Sequence, residues 1–109
     1  MSKEKLMELK LGSEDIEIGG EAYQVQEMTV SESTDYESAL VSMVNGKPVY
    51  DIKNAKKKLV QLTLFQNGER VFGDKDLGLV EKLPYSIMQQ VFEVASKLNK
   101  LDGVKNIKN

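Results

Sequence analysis

The chain has 109 residues, 40% hydrophobic and 29% charged, with a formal charge of -2 and neither Cys nor His. That suits one globular domain with one modest core, and it excludes thiolate chemistry, disulfide bridges and the usual general base near neutral pH. A mild acidic balance gives no overall electrostatic reason to bind nucleic acid or an anionic membrane. No apolar run approaches the roughly 20 residues that cross a bilayer, and no apolar stretch follows Met1-Ser2-Lys3-Glu4-Lys5 to serve as a signal peptide.

Residues 3–10 are charged, with scattered Leu6, Met7, Leu9 and Leu11. Leu9 and Leu11 alternate with charge, which predicts a short strand with a frayed start. Ile16 and Ile18, then Gly19-Gly20, then Tyr23 and Val25 predict a β-hairpin, because both glycines accept the positive φ of a tight turn. Glu17, Glu21, Gln24 and Gln26 then point to solvent.

Thr34 and Glu37 have the spacing of a capping box, and Ser31 beside Glu32 is an equal start for the same helix. Tyr36, Ala39, Leu40, Met43 and Val44 form its apolar stripe, with Asn45-Gly46 as its stop and Pro48 barring its resumption. Residues 51–65 read two ways. As a helix, Asp51 caps it and Ile52, Ala55, Leu59, Leu62 and Phe65 share a face. As a strand beginning near Leu59, the segment turns at Asn67-Gly68 into Val71-Phe72. Length favours the helix.

Asp74 is expected to cap a short helix through Leu77, Leu79 and Val80, in which Gly78 costs roughly 1 kcal/mol relative to Ala. Pro84 is expected at the first position of the last helix, which ends at Asp102-Gly103. Its core stripe is Ile87, Val91, Val94, Leu98 and Leu101; Met88, Phe92 and Ala95 add a second apolar row. The fold class is therefore α+β: an N-terminal hairpin followed by about four helices, with the C-terminal half predominantly helical. Residues 1–103 form the domain and 104–109 a flexible tail.

Few features carry chemistry. Asp74 and Asp76 lack the further oxygen ligands of a cation loop, so capping is the plain account. Lys53, Lys56, Lys57 and Lys58 spread round a helix as a solvated face, with no aromatic platform for nucleic acid. Ser31, Ser33 and Ser38 have no His to activate them, and no glycine spacing cradles a phosphate. The residue types give no catalytic, cofactor or metal site. Met88 and Phe92, one turn apart beside a sufficient core stripe, suit either burial or an adaptable surface that receives a partner.

The run Asn67-Gly68-Glu69-Arg70-Val71-Phe72, then Asp74 and Asp76, Leu79, Leu83-Pro84, Val91, Ala95 and Leu98-Asn99 resembles the C-terminal half of phage tail assembly chaperones of the Gram-positive type. The resemblance spans about residues 55–103. It implies a non-enzymatic assembly factor of the host cytoplasm, absent from the finished virion. It further implies binding to helical segments of the tape measure protein and self-association, with no cofactor, nucleic acid or membrane involved. Tyr85, Met88, Phe92 and Ala95 are the partner-binding residues this reading selects. The family often makes a longer product by frameshifting, which here would be read from Val104-Lys105-Asn106 or Ile107-Lys108-Asn109. Two other functions compete: a structural tail or head–tail connector protein, and a small regulator using the lysine cluster on nucleic acid.

Overall fold

The computed structural model describes residues 2–101. Among these residues the chain forms five helices, a four-stranded antiparallel sheet and a separate two-stranded antiparallel ribbon. Four of the helices follow the first hairpin, as the pattern predicts.

The chain begins with α1 (Lys3–Glu8), capped by the Ser2 hydroxyl on the Lys5 amide, and none of its residues is buried. The expected strand at Leu9–Leu11 is absent. Lys, Glu, Leu and Met are good helix formers, and the first strand starts two residues later. β1 (Ser13–Ile18) and β2 (Glu21–Gln26) form the predicted hairpin, with Gly19 and Gly20 at φ 60° and 82°. Ile16 faces Tyr23, and Val25 faces Glu14 on one side and Leu64 on the other, so Ile16, Ile18, Tyr23, Val25 and Leu64 share the inner face. Gln24 and Gln26 are half-buried rather than fully in solvent.

α2 (Val30–Ala39) starts earlier than either candidate, in a full capping box between Thr29 and Glu32. It also ends earlier. The stripe assigned to Met43 and Val44 belongs instead to β3 (Val41–Val44), which pairs with β4 (Lys47–Tyr50) across Asn45-Gly46. Both turn residues have positive φ, 53° and 76°, the geometry of a two-residue hairpin. A helix stop and a hairpin turn ask for the same dipeptide, and β-branched Val41 and Val44 favour the strand.

Residues 51–66 realise part of each reading: the helix stops at Thr63, before Phe65, and the strand begins at Leu64 rather than near Leu59 and returns at Glu69–Arg70 rather than Val71-Phe72. α3 (Ile52–Thr63) is capped by Asp51 on the Asn54 amide at 3.0 Å. The chain then extends at Leu64 into β5 (Leu64–Gln66), turns at Asn67-Gly68 and returns as β6 (Glu69–Arg70). α4 (Leu77–Val80) is preceded by Asp76, not Asp74, at the cap position; the Asp76 carboxylate accepts from the Gly73 amide at 2.8 Å. Pro84 stands at the cap of α5 (Tyr85–Leu98), one residue before the first-turn position expected for it. α5 ends before Asp102-Gly103, which lie outside the described residues, as does the tail 104–109. Its stop is Lys100 at φ 56°, with Leu101 N–H donating to Ser96 C=O at 2.8 Å and Lys100 N–H to Lys97 C=O at 3.2 Å.

The core forms around α3, which packs against α2, α4 and α5. Val25, Tyr36, Ala55, Leu59, Val60, Leu62, Leu64, Val91, Phe92 and Ala95 are buried together. α5 is wedged between α3 and the sheet: Lys56 of α3 lies over Phe92, whereas Leu98 lies beside Gly12 at the entry to β1. This explains its wide apolar face. One row meets the neighbouring helix and the other the sheet.

Candidate functional site

A candidate surface lies where the first half of α3, α4 and the start of α5 converge. Two adjoining depressions of about 200 and 300 Å³ share Lys53, Tyr85 and Met88. Val80, Leu83 and Ile52 complete the apolar floor, with Lys56, Lys57 and Glu81 at the rim. Pro84 positions the floor: its φ of -54° and lack of an N–H start α5 abruptly, so Tyr85 projects beside the turn leaving α4.

Of the four residues selected from sequence, Tyr85 is 66% exposed and Met88 half-buried within the depressions. Phe92 and Ala95 are buried in the core and line neither depression. The four therefore divide between a surface pair and a buried pair along one helix.

The lysines have particular engagements. Lys57 Nζ donates to Glu81 Oε1 at 2.6 Å, joining α3 to the end of α4. This hydrogen bond, and then the Lys57 charge, hold the Glu81 carboxyl below the usual carboxylate range. Lys56 Nζ sits 4.9 Å from the Phe92 ring centre and donates to Gln89 Oε1 at 3.5 Å. Lys53 is exposed at the lip shared by both depressions. Two of the four lysines are thus drawn onto neighbouring helices.

The acidic pair is structural in its contacts. Asp74 Oδ1 accepts from Gln61 Nε2 at 3.4 Å, and the same amide donates to the Phe72 carbonyl at 3.1 Å. Gln61 is fully buried and ties the 72–74 loop to α3. Its role escaped sequence reasoning, because a Gln on a lysine-rich helix looks solvent-facing. Among the described residues no group of three or more Asp or Glu side chains is placed to hold a metal ion. No helix among them is long and apolar enough to cross a membrane.

No family model matches the sequence, and neither does any curated protein. Among solved structures, the bacteriophage HK97 tail assembly chaperone superposes with a TM-score of 0.62 over 81% of this chain and 85% of its own, at 12% identity. The chain thus shares its overall fold with a phage tail assembly chaperone, at an identity that speaks to the fold alone.

Proposed function

We propose that this protein is a non-enzymatic chaperone of phage or prophage tail assembly, which binds helical segments of the tape measure protein in the host cytoplasm and is left out of the mature virion. The observation that carries the reading is the shared fold, which spans most of both chains. Two features of the site support it. The depressions beside Tyr85 and Met88 are apolar in floor and shallow, which suits the apolar stripe of an amphipathic helix better than a small substrate. Met88 supplies an unbranched, polarizable surface that adapts to irregular partners.

Co-expression with the long, helix-rich product of a neighbouring gene is the direct test. The wild-type chain should keep that product soluble and co-purify with it, and Tyr85→Asp with Met88→Asp should abolish capture while the variant remains folded. Mass spectrometry of purified particles separates this reading from that of a structural tail component: a chaperone is missing from the particle, and a connector is present in it. A genomic context without tail genes, or capture indifferent to both substitutions, would overturn the proposal.

A further inference from the structure

The two depressions beside Tyr85 and Met88 adjoin, and the walls of the trough they form differ in charge. Its three cations, Lys53, Lys56 and Lys57, all come from α3, and their spacing of three and four places them along one stripe of that helix. The opposite wall, from α4 and the start of α5, is apolar except for Glu81 and the Tyr85 hydroxyl. The rim is therefore cationic in a chain whose formal charge is -2.

Among the described residues the chain matches only one of these charges with a carboxylate. Lys57 is bonded to Glu81 at 2.6 Å, which occupies the one acid of the opposite wall. Lys56 meets neutral groups, the Phe92 ring centre at 4.9 Å and the Gln89 side-chain carbonyl at 3.5 Å. Lys53, exposed at the shared lip, forms no ion pair with any described residue. Asp51 lies two residues before it, but its carboxylate is bonded to the Ser42 hydroxyl at 2.6 Å and the Asn54 amide at 3.0 Å. Two ammonium groups, three residues apart on one helix, thus stand beside an apolar floor.

We propose that this trough selects an amphipathic helix whose apolar stripe is flanked, on the side facing α3, by acidic residues three or four apart. The inference rests on reading the chain as a chaperone of helical segments, and it names the chemistry by which the chain chooses among them. The stripe covers Val80, Leu83 and Met88, and the flanking carboxylates meet Lys53 and Lys56. The spacing follows from geometry. Helices lying side by side both rise about 1.5 Å per residue, so acids three or four apart keep step with lysines three apart. A basic flank would set like charges against each other. A helix can lie in the trough in either direction, and the side of its stripe that carries the acids decides which. The cationic wall thereby fixes the direction of the bound segment. A nucleic acid would satisfy the lysines through its phosphates but leave the apolar floor uncovered.

The test uses the full chain and two fluorescently labelled synthetic helices of about 20 residues, long enough to be helical in isolation. Both carry the same leucine stripe; one has Glu along a single flank, the other Lys. Anisotropy gives the affinity, and the Met88 methyl resonance reports where the peptide sits. An exposed ion pair changes affinity by up to about fivefold, so two should favour the Glu-flanked helix by about tenfold at low salt. The gap should shrink as salt rises to about 0.3 M, because charges at a rim are screened. Lys53→Glu should narrow the gap, and Lys53→Glu with Lys56→Glu should reverse it. Lys53→Glu, at an exposed position, decides the matter if the double variant does not fold. Equal affinities for the two helices, unchanged by either variant, would overturn the proposal and leave an apolar docking surface without charge selection. Tighter binding of a single-stranded oligonucleotide that displaces the Glu-flanked helix would overturn it in favour of nucleic acid. If neither helix moves the Met88 resonance, the proposal fails, and co-expression with the neighbouring gene's product shows separately whether the chaperone reading survives.

Discussion

Glu32 divides its carboxylate between Thr29 and Arg70. One oxygen closes the capping box by accepting from the Thr29 amide at 2.9 Å, and the other holds the Arg70 guanidinium, which also lies 5.7 Å from the Phe65 ring centre. A local helix-start signal is thereby bonded to the β5–β6 hairpin, 38 residues away in sequence. Both partners are partly buried, with side chains 21% and 29% exposed, so the pair is less screened than one at the surface. Glu32→Ala should cost about 2 kcal/mol, combining a lost cap with a lost charge-assisted bond. Glu32→Gln keeps the cap and should cost about half as much. A double-mutant cycle with Arg70→Met checks this: the coupling should approach about 1 kcal/mol, and additive losses would show that the two ends act independently.

Asn99 does comparable work one residue away, on the Met28 amide next to Thr29. Its Oδ1 accepts from the Met28 amide at 2.7 Å and its Nδ2 donates to the Ala95 carbonyl at 2.9 Å, so one side chain both caps α5 and holds the chain leaving β2. Met28 is buried, and Asn99→Ala strands its amide. Urea denaturation should show a loss of about 1–3 kcal/mol, the cost of an unpaired buried donor. Asn99→Asp keeps the acceptor and should lose less.

Lys100 occupies left-handed backbone without the freedom of glycine, at φ 56°. Its N–H and that of Leu101 close the α5 C-terminus on Lys97 and Ser96, so the conformation is required by the cap. The strain of a side chain there is about 1 kcal/mol. Lys100→Gly should recover most of it, raising the urea midpoint with an unchanged slope. A decrease would mean that the Lys side chain contributes more than its backbone costs.

Acid should weaken the fold through two carboxylates. The Asp51 carboxyl is held below its ordinary range chiefly by the Ser42 hydroxyl, then by the Asn54 amide, and Glu81 chiefly by Lys57. Each folded pKa lies below the unfolded one, so each group's contribution is complete above the ordinary carboxylate range and disappears as pH falls through the lowered folded value. Asp51→Asn should therefore be less stable than wild type at pH 7, and the two should converge as pH drops below about 4. Parallel stability curves across that window would remove Asp51 from the account.

What the sequence made legible follows from how unique each local signal is. Gly19-Gly20 between alternating apolar residues has one economical reading, and the β1–β2 hairpin forms there. Asn45-Gly46 and Asn67-Gly68 each serve as helix stop or hairpin turn, and both prove to be hairpin turns. At the first, Tyr36, Ala39, Leu40, Met43 and Val44 also satisfied helical spacing, which concealed β3. The capping-box spacing occurs at Thr29–Glu32 and again at Thr34–Glu37, and only Arg70, distant in sequence, distinguishes the first by its tertiary bond. At the candidate site, the row Met88, Phe92 and Ala95 was visible as a wide apolar face. Its split into surface and interior depends on α3 lying against α5, which helical periodicity does not encode.

That split yields opposite expectations for neighbouring residues of one helix. Tyr85 is exposed and Phe92 buried beneath Lys56. Tyr85→Ala should leave stability within about 0.5 kcal/mol, since substitutions at exposed positions outside special structures rarely do more. Under the proposed function it should weaken capture of the helical partner. Phe92→Ala removes a core side chain and should cost about 3–5 kcal/mol, lowering the melting temperature and partner capture together. Comparing the two by thermal denaturation and co-purification tells a docking surface from an ordinary core. If Tyr85→Ala captures partner as well as wild type does, and only destabilised variants fail, the depressions beside α5 have no direct part in binding.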